Sequence, residues 1–166
     1  WDQIVNEPRH WVPLPRTPTI ASVLETFLAT KREQRRDQLG KWEEFVEALR
    51  TYFDVALPKV LLYRQEREQY ERHKPAQGAD GPLPSAVYGA EHLLRLLTRL
   101  PTLLIHSDLN SQEMPQVQTK LTDFLRFLVR HQADLFLKHY VLRETVLGGR
   151  ETLYCRRTAV AWGKRL

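Results

Sequence analysis

The residues able to do chemistry are few and scattered. Six histidines (His10, His73, His92, His106, His131 and His139) and one cysteine, Cys155, carry the metal and nucleophile candidates. No HExxH pairing occurs, and a single thiol cannot build a thiolate cluster. His131 and His139 stand about two helical turns apart with no carboxylate at ligand spacing between them. His106-Ser107-Asp108 contains the residue types of a catalytic triad, but triad geometry depends on space and not on chain order. GxSxG, GxGxxG and P-loop patterns are all missing. Cys155 sits beside Arg156 and Arg157, which can lower a thiol pKa, yet no partner histidine is evident. The expectation is therefore a protein that is not an enzyme and that uses no metal and no cofactor.

Binding chemistry is better represented. His92, Leu96 and Arg99 recur at i, i+4, i+7, with Arg95 at the shoulder of that face. Two readings fit. Leu96 can be core while the charged residues snorkel to water. Alternatively the face edges a half-apolar groove, with Tyr63 at the end of Leu61-Leu62-Tyr63 supplying an amphipathic ring, since aromatic and arginine anchors dominate interaction hot spots. Spacing alone leaves both open.

The elements that must carry these residues are helical. Residues 1–16 read as an extended lead-in, because the prolines of Val12-Pro13-Leu14-Pro15 cannot propagate a helix. Thr17-Pro18 reads as an N-cap followed by proline at the first helical position, with Ile20, Val23, Leu24, Phe27 and Leu28 on one face. Lys31 to Gln38 reads as a solvated helix end or a connection. Arg32, Arg35 and Arg36 make it a candidate for phosphate contact. Trp42, Phe45, Val46, Leu49, Tyr52 and Phe53 mark a second helix. A short apolar segment, Ala56 to Tyr63, leads into a charged helix over Arg64 to His73.

Prolines and glycines between 74 and 86 predict a mobile loop open to proteolysis. Ala90 to Leu100 is leucine-rich on several sides, a central buried helix that Pro101 should kink or break, with Thr102 to Ile105 able to continue it beyond a kink. The longest helix is expected from Ser111 to about His139, with Met114, Val117, Leu121, Phe124, Leu125, Leu128, Leu135 and Phe136 as its stripe. Val141 to Leu147, Gly148-Gly149 and Arg150 to Tyr154 read as a small C-terminal β-hairpin. The fold class is thus mainly α, an orthogonal helical bundle forming a single domain over residues 1–166.

Length and charge narrow the class further. The 166 residues suffice for one domain with a real core. No run approaches the roughly 20 apolar residues of a membrane span, so no membrane association is expected. Trp1-Asp2-Gln3 is no signal peptide and reads as the start of a fragment of something longer. With one cysteine no internal disulfide can form, which fits a reducing compartment. The net charge of +5 is concentrated: residues 150–166 carry five basic residues against one acidic, leaving a basic tail over 141–166. Arg156 and Arg157 join Arg32, Arg35 and Arg36 as candidate phosphate contacts, and weak nucleic-acid binding through them is the alternative function.

A set of ordered blocks goes beyond periodicity. Trp1-Asp2, Val12-Pro13-Leu14-Pro15, Leu61-Leu62-Tyr63, Gln69-Tyr70, Val87-Tyr88-Gly89-Ala90-x-His92-Leu93-Leu94-Arg95-Leu96 and Leu121-x-Asp123-Phe124-Leu125 occur in this order. Together they resemble the MRG domain of MORF-related, chromodomain-containing chromatin proteins, most like the fungal members. Tyr154-x-Arg156-Arg157 resembles the family's closing motif. The resemblance implies a non-enzymatic interaction scaffold within nuclear histone acetyltransferase and histone deacetylase complexes, acting in chromatin and transcription regulation. It also implies a hydrophobic pocket for partner peptides with a Phe-x-Leu-Pro-like motif. Family pocket positions carry over to Trp1, Tyr63 and Arg99, with Thr98 where some relatives have valine; His92, Arg95 and Leu96 are added from the shared helix face. The methyl-lysine-reading chromodomain of full-length members has no counterpart in these residues.

Overall fold

In a computed structural model, which describes residues 10–34, 38–73, 81–105, 113–137 and 141–142, Thr19 rather than Thr17 opens the first helix. The Thr19 hydroxyl accepts the Ser22 amide at 3.2 Å, satisfying one of the orphan donors of a helix start. Helix α1 then spans Ile20–Gln34 and buries Ile20, Val23, Leu24 and Phe27. Thr17 and Pro18 belong to the lead-in, which is held by backbone bonds: the Arg16 amide donates to Val87 and the Ile20 amide to Tyr88, both at 2.8 Å.

The chain divides into two compact units, Leu14–Leu137 and a second made of Trp1–Pro13 with Lys138–Leu166. In the first unit, α2 spans Leu39–Ala56 and runs into a π-helical turn over Leu57–Leu61. Helix α3 covers Glu66–His73, α4 is the single turn Pro84–Val87, and α5 spans Ala90–Ile105. Helix α6 spans Glu113–Arg130 and α7 is the turn Gln132–Leu135. The described residues are thus mainly α, as expected, and no described helix is long and apolar enough to cross a membrane.

Several boundaries and faces differ from the expectation. Tyr52 is exposed; Ala56 completes the buried face of α2 instead, and Leu57 is buried at the start of the π-helical turn. Residues 84–87 are helical because Pro84 suits a first helical position and the Asp54 carboxylate accepts both the Ser85 amide and hydroxyl, at 2.6 and 2.9 Å. Helix α5 continues through Pro101, which faces solvent, to Ile105, so of the two expected outcomes a break does not occur. The long final helix stops at Arg130; its core residues are Phe124, Phe127 and Leu128, while Leu125 is exposed.

Phe27 is the aromatic hub, meeting Trp42, Phe124 and Phe127 edge-on with centroids 5.0–5.6 Å apart. Lys31 is not at a solvated helix end. Its ammonium lies 4.4 Å from the Trp42 ring centroid and donates to Asp123 at 2.9 Å, so α1, α2 and α6 meet around a paired cation.

In the second unit, β1 (His10–Trp11) pairs antiparallel with β2 (Val141–Leu142), His10 opposite Leu142 and Trp11 opposite Val141. The described partner of Val141–Leu142 is therefore the lead-in; residues 143–154 of the expected C-terminal hairpin lie outside the described ones. The same holds for residues 74–80 of the expected loop and for most of the basic tail.

Candidate functional site

The segment that leaves the π-helical turn presents Tyr63. Leu62 is extended (φ −82°, ψ 133°), which ends the helical path and swings Tyr63 toward the start of α3. There two residues hold each other. The Glu66 amide donates to the Tyr63 carbonyl, and the Tyr63 amide donates to Glu66 Oε2, both at 3.0 Å. This reciprocal pairing satisfies backbone groups that the change of direction would otherwise strand.

Beneath this corner lies Arg95 of α5. Its Nη2 donates to Glu66 Oε1 at 2.7 Å and its Nη1 to Glu66 Oε2 at 2.5 Å, a two-pronged ion pair; Nη1 also donates to the Leu61 carbonyl at 3.1 Å. The guanidinium lies 4.3 Å from the Tyr63 ring centroid. One turn earlier, His92 Nε2 is 3.4 Å from Glu66 Oε1, and its ring meets Tyr88 edge-on at 4.7 Å. Glu66, His92 and Arg95 are 1%, 1% and 5% exposed, so the charge sits inside the unit and not on its surface.

The electrostatics follow from that burial. Burial pushes the Glu66 carboxyl upward, but hydrogen bonds from Arg95 and then His92 outweigh it and hold the group at about 2. Burial lowers the His92 pKa against the weaker opposing pull of Glu66, which keeps the imidazole neutral. Burial, then the Glu66 charge, raises the Tyr88 hydroxyl above its ordinary range. The carboxylate accepts two hydrogen bonds from Arg95 and one from the Tyr63 amide, an arrangement suited to fixing geometry.

The seven expected binding residues do not share one exposed face. Tyr63 is half-buried, with its ring over Arg95, and Thr98 and Arg99 are exposed one turn beyond Arg95. Thr98 Oγ1 donates back to the Arg95 carbonyl at 2.8 Å. His92, Arg95 and Leu96 point inward; Arg95 does not snorkel, because Glu66 pairs it inside. Trp1 lies outside the described residues, as do Arg35, Arg36, Arg156 and Arg157. Arg32 is exposed, with Glu43 3.8 Å away. Glu66 was missed by sequence reasoning: it sits in a charged helix whose composition reads as surface, and its partner is 29 residues distant.

The family model described as MRG matches residues 1–142. Protein MRG1 of Arabidopsis thaliana is 36% identical over 137 residues, covering 82% of this chain and 41% of that protein. The chromatin modification-related protein EAF3 of Mycosarcoma maydis is 34% identical over 166 residues, 84% of this chain and 49% of the relative. The NuA4 complex subunit EAF3 homolog of Dictyostelium discoideum is 32% identical over 145 residues, 86% of this chain and 35% of the relative. The chain thus spans between about a third and a half of the length of these curated relatives.

Proposed function

Since the chain belongs to the MRG family, we propose that it is a non-enzymatic docking module of a nuclear chromatin-modifying complex, taking partner peptides with a Phe-x-Leu-Pro-like motif beside Tyr63. The relatives, chromatin modification-related proteins and a NuA4 complex subunit homolog, support the setting. The observation that carries the docking surface is the half-buried Tyr63 ring, held over a buried guanidinium next to exposed Thr98 and Arg99. An aromatic ring fixed before the partner arrives loses little entropy on binding, and a proline in the partner limits the entropy lost on the other side. Trp1 is proposed as a further wall. Arg99 is proposed to hydrogen-bond peptide carbonyls, while His92, Arg95 and Leu96 support the face from within.

Titration of a fluorescent Phe-x-Leu-Pro peptide tests this reading. Truncating a buried anchor costs about 2 kcal/mol or more, so Tyr63→Ala and Trp1→Ala should each remove most binding while the helical circular-dichroism spectrum persists. Near-native affinity in both variants sinks the pocket. The same titration across salt separates docking from phosphate contact by Arg32, Arg35, Arg36, Arg156 and Arg157, because only the latter weakens steeply with salt.

A further inference from the structure

A buried ion pair is a poor device for stability, since apolar residues of similar volume often do as well or better. Glu66 and Arg95 are nevertheless buried together, and what they determine is local. Arg95 holds the Leu61 carbonyl, Glu66 accepts the Tyr63 amide, the Glu66 amide returns to the Tyr63 carbonyl, and the guanidinium supports the Tyr63 ring at 4.3 Å. Both the backbone and the ring of Tyr63 are therefore set by one carboxylate and one guanidinium. Neither charge is exposed, so neither reaches a partner directly.

We propose that Glu66 and Arg95 are positioning residues for docking: they act through Tyr63, holding its ring in the orientation that receives a partner side chain. The proposal rests on the docking reading above. It requires the charge and the fork, not merely the volume. Glu66→Gln keeps the shape but exchanges one acceptor oxygen for a donor, and Arg95→Lys keeps the charge but loses the planar fork and its stacking.

Two readouts on the whole 166-residue chain test it. In the unliganded protein, the Tyr63 ring resonances, assigned by comparison with Tyr63→Phe, should move toward free-tyrosine values in both variants while the rest of the spectrum stays dispersed. In titrations with a synthetic Phe-x-Leu-Pro peptide followed by chemical shift, each variant should lose about tenfold in affinity in the Tyr63 background. In a Tyr63→Ala background each should lose no more than about twofold, the spread expected of sites that do not interact. Equal losses in both backgrounds, or ring resonances that do not move, overturn the positioning role. If Glu66→Gln fails to fold, Arg95→Lys carries both measurements. A wild-type chain that ignores the peptide defeats the docking reading instead, and the ring resonances still decide whether Glu66 and Arg95 hold Tyr63.

Discussion

Helix α5 carries two buried ion pairs one turn apart, and they serve different ends. Glu91 and Arg95 stand at i and i+4, the spacing and order that favour a bridge along a single helix. Instead each turns to a distant partner. Glu91 takes Arg16, 75 residues away, and Arg95 takes Glu66. The Arg16–Glu91 pair is a clasp between chain segments. Arg16 Nη2 also donates to the Leu135 carbonyl at 3.1 Å, Nη1 to the Thr17 carbonyl at 2.6 Å, and the Leu137 amide donates to Glu91 Oε1 at 2.8 Å. It ties Arg16 and the end of α7 to the start of α5. The Glu66–Arg95 pair ties one corner of chain and leaves a half-exposed ring above it. Similar chemistry closes the unit at one place and presents an aromatic face at the other; the difference lies in what covers the arginine.

Breaking the clasp should cost the most stability. Glu91→Ala strands Arg16 as an uncompensated buried charge, a loss of about 3–5 kcal/mol in urea unfolding at neutral pH. The Tyr63 ring resonances of the folded fraction should not change. Movement of that ring would show that the two pairs form one network and erase the distinction. Next in size is Gly89→Ala. A Cβ there would sit 2.5 Å from Arg16 Cγ and 3.0 Å from Glu91 Oε2, so the clasp itself must shift. Crowding of this kind costs about 1–3 kcal/mol, read in the same urea experiment. An unchanged midpoint would mean the Arg16 side chain yields freely and the clasp is loose.

Neither pair was legible in the sequence, whereas the helices between them largely were. Ile20 to Phe27 and Trp42 to Phe53 follow a 3.6-residue apolar period, and that period states directly which side is buried. Charged residues carry no such sign. Nothing in the spacing of Lys31, Glu66, Arg16 and Glu91 marks them as buried, because burial of a charge is permitted only by its partner, and those partners lie 29 to 92 residues away. The stripe on α6 shows a subtler miss. Leu121, Phe124, Leu125 and Leu128 satisfy helical spacing, but so do Phe124, Phe127 and Leu128, and edge contacts to Phe27 select the second set. Tyr63 is visible through family resemblance, whereas Arg95 fits neither the snorkelling nor the groove-edge reading, because Glu66 pairs it inside with the Tyr63 ring 4.3 Å away.

A proton distinguishes the two pairs at smaller energy. His92 faces Glu66, Arg95 and Tyr88, with the Glu91 charge a weaker influence, and burial lowers its pKa below the ordinary 6.5. The unfolded chain therefore takes up a proton near 6.5 that the folded chain refuses. Stability is highest above that value and falls as the pH drops, by up to about 1.4 kcal/mol per unit for one proton. Glu66 adds to the slope below its ordinary 4.5, because its folded-state value of about 2 means that the unfolded chain is again the one to gain the proton. Thermal unfolding from pH 7.5 to 3 should thus show a decline below 6.5 that His92→Gln flattens, leaving the Glu66 limb below 4.5 in place. A decline that survives His92→Gln would place the sensitive group elsewhere and leave the Glu66–Arg95 corner as indifferent to mild acid as the clasp.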